Sequence, residues 1–451
     1  PIGGLNTRDS VDLLPETDAI RLDNFFPARS HVQVRNGYDD HVTGLPSTIQ
    51  SLMVYNSGTA STLFAASGAN VYNVTSAGSV GAAVITSLSN AKFQWVNTTT
   101  SGGSVLWICN GQDAPRHWNG SAWATPTLSS ITAANVINVE VYKERLFLVL
   151  TDSLTYGYLP VNSIAGTVAS VNLGSIFSKG GKLMAISTWT RDGGSGPDDN
   201  IMFRAGSDCY LVTENGLLPM TQVLGTGESA PNKALSDKIS NTYNDSVVSF
   251  RSTFGWEGIV YPKGGYAAVN VPSSTSGDFV QYVINLDTGS WARFTNQNSY
   301  CWAVYDSDLY FGGDTKVHKA DSGPDDAGSA IEAVAKTAFI YFGGRGGPKR
   351  YTAIRPVMAR DADLEISVGF DTDYRDGTTV FTPSTTSSIA SAWDTATWDS
   401  ATWGSPITTQ QAWFSVADIG WNAAIRVRTS TSQQSVRWLA TDVRYEVGVG
   451  L

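Results

Sequence analysis

The chain has 451 residues, of which 42% are apolar and only 16% are charged, and it contains 44 glycines, 14 tryptophans, 18 tyrosines and 17 phenylalanines. This composition is typical of an all-β protein with a large core and extensive interfaces. The net charge is −10, and residues 1–330 hold 19 Lys and Arg against 28 Asp and Glu, which argues against a general nucleic-acid-binding surface there.

Residues 1–38 differ in character from the rest of the chain and are predicted to form an N-terminal arm. Pro15–Leu22 has a proline at its first position and acidic residues in its first turn, which favours a short helix. His31–Arg35 alternates between apolar and polar residues and is predicted to be a strand, with Asn36–Gly37 as the turn after it.

Residues 39–326 are predicted to consist of copies of one unit, which is clearest at Val139–Tyr158. An alternating strand is followed by the charged turn Lys143–Arg145, the apolar run Leu146–Leu150, a second turn and a third strand. This order is a β-meander. A strand without a polar face must be covered on both sides, and radially packed blades supply a sheet on each side.

The unit recurs at spacings typical of propeller blades. Its second strand is predicted to begin near Leu63, Val105, Leu146, Ile201, Ile259 and Leu309. Its first strand is predicted at Leu52–Tyr55, Phe93–Asn97, Asn138–Tyr142, Leu183–Trp189, Val247–Phe250 and Tyr300–Tyr305. We therefore expect a β-propeller of six blades, with His31–Arg35 as the strand that completes the last blade. A β-sandwich, which also has short strands at regular spacing, is the alternative.

Residues 327–451 have longer strands and are predicted to form an antiparallel β-sandwich that serves as a platform domain. Within this part, Ala392–Gly404 is a five-residue near-repeat that places tryptophan at positions 393, 398 and 403. Tryptophans five residues apart do not share one face of a straight strand, because side chains alternate with a period of two. Trp393, Trp398 and Trp403 are therefore predicted to lie on a loop that packs on another surface.

The sequence predicts no catalytic, metal or cofactor site. None of the four histidines has a second ligand at metal-binding spacing, and no nucleophile elbow is present. Asp371, Asp373 and Asp376 lack the glycine and the glutamate of a calcium loop, so they are interpreted as solvated turn carboxylates. A propeller enzyme with two carboxylates paired across the ring remains an alternative, because sequence does not show such pairing.

The three cysteines, Cys109, Cys209 and Cys301, lie in apolar runs and are predicted to be buried free thiols. No apolar run approaches 18 residues, so no membrane insertion is expected. The N-terminus lacks a basic segment followed by an apolar one, so no secretory signal is predicted.

One basic stretch, from Gly343 to Arg360, contains five cations and no acidic residue: Arg345, Lys349, Arg350, Arg355 and Arg360. Three interpretations are open. The stretch could be a solvated hairpin, it could contact an acidic neighbouring subunit, or it could contact DNA phosphates.

Motifs in both the first and the last third of the chain resemble tail proteins of short-tailed bacteriophages. These motifs are Gly3–Arg8, Asp18–Pro27, Val34–Tyr38, Ala333–Ala338, Phe342–Gly347 and the tryptophan–aspartate near-repeat. The family indicated is the tail nozzle or hub, which is similar to the DNA-stabilisation proteins of these phages. The middle of the chain matches this family in architecture only.

The resemblance implies a structural, non-enzymatic protein of the phage tail in the virion, assembled in the cytoplasm of the host bacterium. It implies a homo-hexameric ring that continues the DNA channel below the portal and the adaptor ring, the head-to-tail connector, and that carries tail fibres or spikes. Viral double-stranded DNA would pass through the lumen without sequence-specific binding. The basic stretch and the three tryptophans are then the expected interface. The alternative is a receptor-binding or glycan-cleaving propeller of the tailspike or fibre type.

Overall fold

In a computed structural model the chain is all-β with many sheets, as predicted. The structure describes residues 1–176, 181–186, 202–205, 208–213, 216–220, 234–275, 277–360, 366–377, 380–381, 408–410, 413–432 and 435–448.

Six sheets succeed one another between residues 38 and 320 of the described chain, and we number them in chain order. Sheet 1 contains Ile49–Asn56, Ser61–Ser67, Asn70–Asn73 and Ala83–Ile85. Sheet 2 contains Gln94–Thr100, Gly103–Cys109, Arg116–Trp118 and Trp123–Ala124. Sheet 3 contains Val136–Tyr142, Arg145–Leu150, Thr155–Tyr158 and Ala169–Asn172. A short parallel pair, Leu128–Ser129 with Gly166–Thr167, lies beside it.

Sheets 4 to 6 follow in the chain. Sheet 4 contains Met202–Ala205, Asp208–Thr213 and Gly216–Pro219. Sheet 5 begins with Glu257–Tyr261, Tyr266–Pro272, Phe279–Asn285 and Trp291–Phe294. Sheet 6 contains Cys301–Tyr305, Asp308–Gly312, Lys316–Ala320, Tyr38–Thr43 and Gly78–Ser79.

Neighbouring sheets pack face to face. Separate apolar cores join sheet 6 to sheet 1, sheet 1 to sheet 2, and sheet 2 to sheet 3. Strand Gly103–Cys109 contributes to two of them, because Leu106 and Ile108 face sheet 1 while Trp107 and Cys109 face sheet 3. This alternation explains why the strand has no polar face, and it confirms for this strand the prediction that an apolar second strand is covered on both sides.

Sheet 6 is completed by an N-terminal strand, but not by the predicted one. Tyr38–Thr43 pairs with Lys316–Ala320, whereas Val32–Val34 pairs with Phe25–Pro27 and with Val436–Val447 near the C-terminus. The prediction that His31–Arg35 completes the last blade is therefore wrong. Val32 and Val34 are both buried in the core that the C-terminal strands help to form, and this burial holds their strand in the C-terminal part of the fold. The chain crosses to sheet 6 at Gly37, where a Cβ atom would lie 1.6 Å from the carbonyl oxygen of Asp325.

Two further predicted elements differ from the structure. Asp18–Asp23, which overlaps the predicted helix Pro15–Leu22, is a strand that pairs with Gly4–Leu5 and with Ile331–Thr337. Tertiary packing overrides the local helix signal here, because this strand buries apolar side chains on a neighbouring sheet. Val247–Phe250, a predicted strand, is the end of the α-helix Ser240–Phe250.

The helix forms because Tyr243 and Val247, four residues apart, bury one face of it. It comes after the 3₁₀ turn Asp237–Ile239, and a second 3₁₀ turn lies at Ala133–Asn135. Of the predicted strand Leu183–Trp189, residues 183–186 form no strand and the remainder lies outside the described residues. No helix in the described part of the chain has the length and apolarity needed to cross a membrane.

The C-terminal part adds two layers. Sheet 5 continues through Asp18–Asp23 into Ile331–Thr337, Ala423–Thr431, Ile366–Thr372 and Val380–Phe381. A second layer, here called the C-terminal sheet, contains Phe25–Pro27, Val32–Val34, Val436–Val447, Lys349–Arg360, Thr408–Gln410 and Phe414–Gly420. The two layers share one core, in which the rings of Tyr351 and Phe370 lie 4.8 Å apart.

Two of the three cysteines test the prediction of buried thiols. Cys109 and Cys301 are both buried thiols, which confirms it for these two residues. Burial raises the pKa of the Cys301 thiol well above its usual value, so the thiol stays protonated at neutral pH. The side chain of Cys209 lies outside the described part of the structure.

Candidate interface on the C-terminal sheet

The basic stretch begins with a tight turn that a buried lysine holds together. Gly343 and Gly344 have φ of 85° and 131°, which favour glycine. The Lys349 ammonium donates to the carbonyl oxygens of Gly344, Gly347 and Trp421 at 2.7, 3.2 and 3.2 Å. Lys349 is only 2% exposed, and all three of its N–H groups are used within the chain. Its predicted role as an interface residue is therefore corrected to a structural one.

At the tip of the same turn, Arg345 lies over the ring of Tyr341. Its guanidinium carbon lies 4.4 Å from the ring centroid of Tyr341, and one of its nitrogens donates to the carbonyl oxygen of Asp12. The Tyr341 and Tyr374 hydroxyls are 2.8 Å apart. This hydrogen bond lowers the pKa of Tyr341, whereas burial raises the pKa of Tyr374 to about 12. Arg345 is exposed to solvent.

Beyond the turn, the alternation of strand Lys349–Arg360 separates a buried face from an open one. Lys349, Tyr351 and Ile354 point into the core, while Arg350 is exposed and Arg355 is half-buried. Arg355 donates from Nε to Asp442 at 2.8 Å, and its guanidinium lies 4.9 Å from the ring centroid of a tryptophan, Trp413. Its charge is thus partly neutralised.

Strand Val436–Val447 brings two more arginines to the open face. Arg444 lies opposite Ala353, Arg437 lies opposite Ala359, and residues opposite each other in a sheet share a face. Within the described residues, Arg350, Arg437 and Arg444 form no ion pair. We define the open face as Arg350, Arg355, Trp413, Ile419, Arg437, Asp442, Arg444 and Glu446.

The open face combines positive charge with exposed apolar groups. Its four arginines exceed its two acidic residues, although the whole chain has a net charge of −10. Trp413 and Ile419 are about half exposed. Arginine and aromatic residues are enriched in protein interfaces, and the acidic residues would repel a polyanion. The arrangement therefore suits a protein partner with an acidic surface better than it suits DNA.

The structure describes only some of the predicted interface residues. The side chain of Arg360, and all of Trp393, Trp398 and Trp403, lie outside the described residues. Sequence analysis did not find Arg437 and Arg444, because they lie far beyond the basic stretch in the chain. A signal was present, since charged residues recur within Arg437–Glu446 on the side of the strand opposite Trp438 and Tyr445.

The interpretation of Asp371 as a solvated turn carboxylate is wrong. Asp371 is fully buried, with Lys336 Nζ at 2.9 Å and the backbone N–H of Gly377 at 2.8 Å. Asp376 does remain exposed, and its hydrogen bond with Lys336 lowers its pKa. Among the described residues, no three His, Cys, Asp or Glu side chains lie close enough together to hold a metal ion.

No protein-family model matches the chain, and no curated protein matches it. Several solved structures do. YCF48 bound to D1 peptide is 10% identical over 63% of this chain and 94% of its own, with a TM-score of 0.32. The computationally designed Ika8 protein is 8% identical over 62% and 98%, with a TM-score of 0.29. A glycoside hydrolase is 8% identical over 88% and 98%, with a TM-score of 0.23. Likenesses this weak assign neither a family nor a function to the chain.

Proposed function

We propose that the chain is a structural, non-enzymatic subunit of a hexameric tail nozzle of a short-tailed bacteriophage. In this proposal sheets 1–6 are the six blades of a β-propeller, and the two C-terminal layers form a β-sandwich platform. The hexamer continues the DNA channel below the adaptor ring, retains and conducts the genome, and carries tail fibres or spikes. The sequence resemblance and the open face support the proposal.

The open face is the observation that carries the assembly part of this proposal. Three of its arginines have no ion pair among the described residues, and the exposed side chains of Trp413 and Ile419 lie on the same face. The acidic excess of the chain lies in residues 1–330. Opposite charges on two surfaces of the same chain favour contact between copies, and like charges on one surface oppose it. The open face of one subunit therefore meets an acidic surface of its neighbour or of the adaptor ring.

Charge reversal tests this contact. The triple variant Arg350→Glu, Arg437→Glu and Arg444→Glu should lose ring formation, because its face becomes acidic like the rest of the chain. The matched control is Lys92→Glu, Lys143→Glu and Lys182→Glu, which makes the same change in net charge at cations of other segments. Analytical ultracentrifugation measures the assembly, and circular dichroism shows that each variant is folded. Rings in the triple variant, or loss of rings in the control, would contradict contact of the open face with a neighbouring subunit.

A further inference from the structure

A cleft of about 750 Å³ lies between the first strands of sheets 1, 2, 5 and 6. We propose that it binds a neutral oligosaccharide. The residues that carry the argument are Gln50, Gln94, Trp95, Trp256, Glu257 and Trp302. The volume lies within the range of ligand pockets, and a mixture of aromatic walls with a few polar groups is typical of such sites. We call it the aromatic cleft.

Two tryptophans provide the walls. Trp95 lies on strand Gln94–Thr100 and Trp256 directly precedes strand Glu257–Tyr261, and both are half-buried. Trp256 is held in place, because its indole N–H donates to the carbonyl oxygen of Phe250 at 2.9 Å. An aromatic face carries negative charge density, which attracts the C–H groups on the apolar side of a sugar ring. Nearby Phe254 is less available, since Lys92 Nζ already lies 4.5 Å from its ring centroid.

The polar side chains that line the cleft include four amides. Within the described chain, the side chains of Gln50 and Gln94 have no hydrogen-bond partner, so each offers two donors and an acceptor to sugar hydroxyls. Asn97 also lines the cleft, but its amide is fixed by the carbonyl oxygen of Val54 and the backbone N–H of Asn56. Amides and aromatic faces together match the alternating hydroxyl and C–H groups of a saccharide.

The charge of the cleft indicates which saccharides fit. Glu257 is the one charged residue among its described lining residues, and its carboxylate accepts the backbone N–H of Trp302 at 2.9 Å. With one carboxylate and no cation in the described lining, the cleft does not favour phosphate, sulfate or uronic acid groups. Hydrolysis of a glycosidic bond requires two carboxylates in most such enzymes. The cleft is therefore assigned to binding without cleavage.

The test uses the full chain and three neutral hexasaccharides: cellohexaose, maltohexaose and chitohexaose. Saturation-transfer NMR should detect binding of at least one of them, and calorimetry should measure its affinity. Trp256→Ala should weaken that affinity about tenfold, as expected for the loss of an aromatic contact. Gln94→Ala should weaken it several-fold and leaves the core intact, because Gln94 is only half-buried. Trp421→Ala, at an exposed tryptophan outside the cleft, should not change it.

Three results would overturn the proposal. They are the absence of binding by all three hexasaccharides, unchanged binding by the Gln94→Ala and Trp256→Ala variants, and binding of choline instead, which would indicate a cation cage. Shortening of the bound hexasaccharide would contradict binding without cleavage. Binding is measured separately from assembly, so failure here leaves the hexamer proposal in place and failure of the hexamer leaves this one in place.

Discussion

At the scale of single residues, one buried ion pair connects three parts of the chain. Arg35 donates to Asp326 at 2.8 and 2.7 Å, to the side chain of Asn24 at 2.9 Å and to the carbonyl oxygen of Thr295 at 3.0 Å. Both charged partners are nearly inaccessible to solvent. These bonds tie the N-terminal segment to sheet 5 and to the turn that precedes Ile331–Thr337.

Arg35→Ala should lower the free energy of unfolding by about 3–5 kcal/mol, because it leaves the Asp326 carboxylate buried without its partner. The control is Arg29→Ala, which removes an exposed pair with Asp287 and should cost less than about 1 kcal/mol. Urea denaturation of the two variants measures both values. Equal stability of the two variants would show that the buried pair does not hold these segments together.

His318 makes the stability of the folded chain depend on pH. Its ring stacks on Phe311 with centroids 4.7 Å apart, and Asp40 Oδ1 lies 3.0 Å from its Nδ1. Burial lowers the pKa of His318, and the nearby Lys316 also lowers it, against the attraction of Asp40. The folded-state pKa is therefore below the usual 6.5. The unfolded chain binds this proton more readily, so stability is lost as the pH falls below about 6.5.

His318→Gln should remove this contribution to the pH dependence. Melting temperatures of the parent and the variant, compared between pH 7.5 and pH 5.5, should show a smaller drop for the variant. Parallel drops would mean that His318 does not resist protonation in the folded state.

Single residues also show what sequence can predict. The five cations of Gly343–Arg360 were evident, but their roles depend on the strand register, which decides that Lys349 points inward and Arg350 outward. Pairing with Asp442, 87 residues from Arg355, is set by tertiary structure alone. The aromatic cleft was not predictable for the same reason, since its residues come from four sheets.

At the scale of elements, the apolar second strands carry the stability of sheets 1–3. Leu148→Asp in sheet 3 should lower the free energy of unfolding by roughly 3 kcal/mol or more, because an unpaired charge is placed in the core. Val161→Asp, at an exposed valine in the loop after Tyr158, should have little effect. Thermal melting compares them. A Leu148→Asp variant that melts like the Val161→Asp control would contradict the packing of sheet 3 on sheet 2.

The secondary structure was predicted correctly where the local sequence pattern was clear. Short apolar runs and tight turns identified the Val139–Tyr158 meander. The predictions failed where contacts between distant parts of the chain determine the secondary structure. Asp18–Asp23 is a strand because Asp23 binds Arg293 at 2.7 Å and its apolar neighbours join a distant sheet.

At the scale of the whole molecule, the N-terminal segment belongs to two sheets at once. Val32–Val34 joins the C-terminal sheet and Tyr38–Thr43 joins sheet 6, with Gly37 at the crossing. The sequence predicted that His31–Arg35 completes the last blade, but Val32 and Val34 are buried in the core of the C-terminal layers, and Tyr38–Thr43 completes sheet 6 instead. The segment therefore links the series of six sheets to the C-terminal layers.

The mass of the native particle, measured at low salt, tests the proposed hexamer most directly. We predict a particle of six chains, which dissociates as salt rises because contacts between exposed charges are screened within about 10 Å at 0.1 M. A single-chain mass at every protein and salt concentration, or a stable particle of another stoichiometry, would contradict the proposed nozzle.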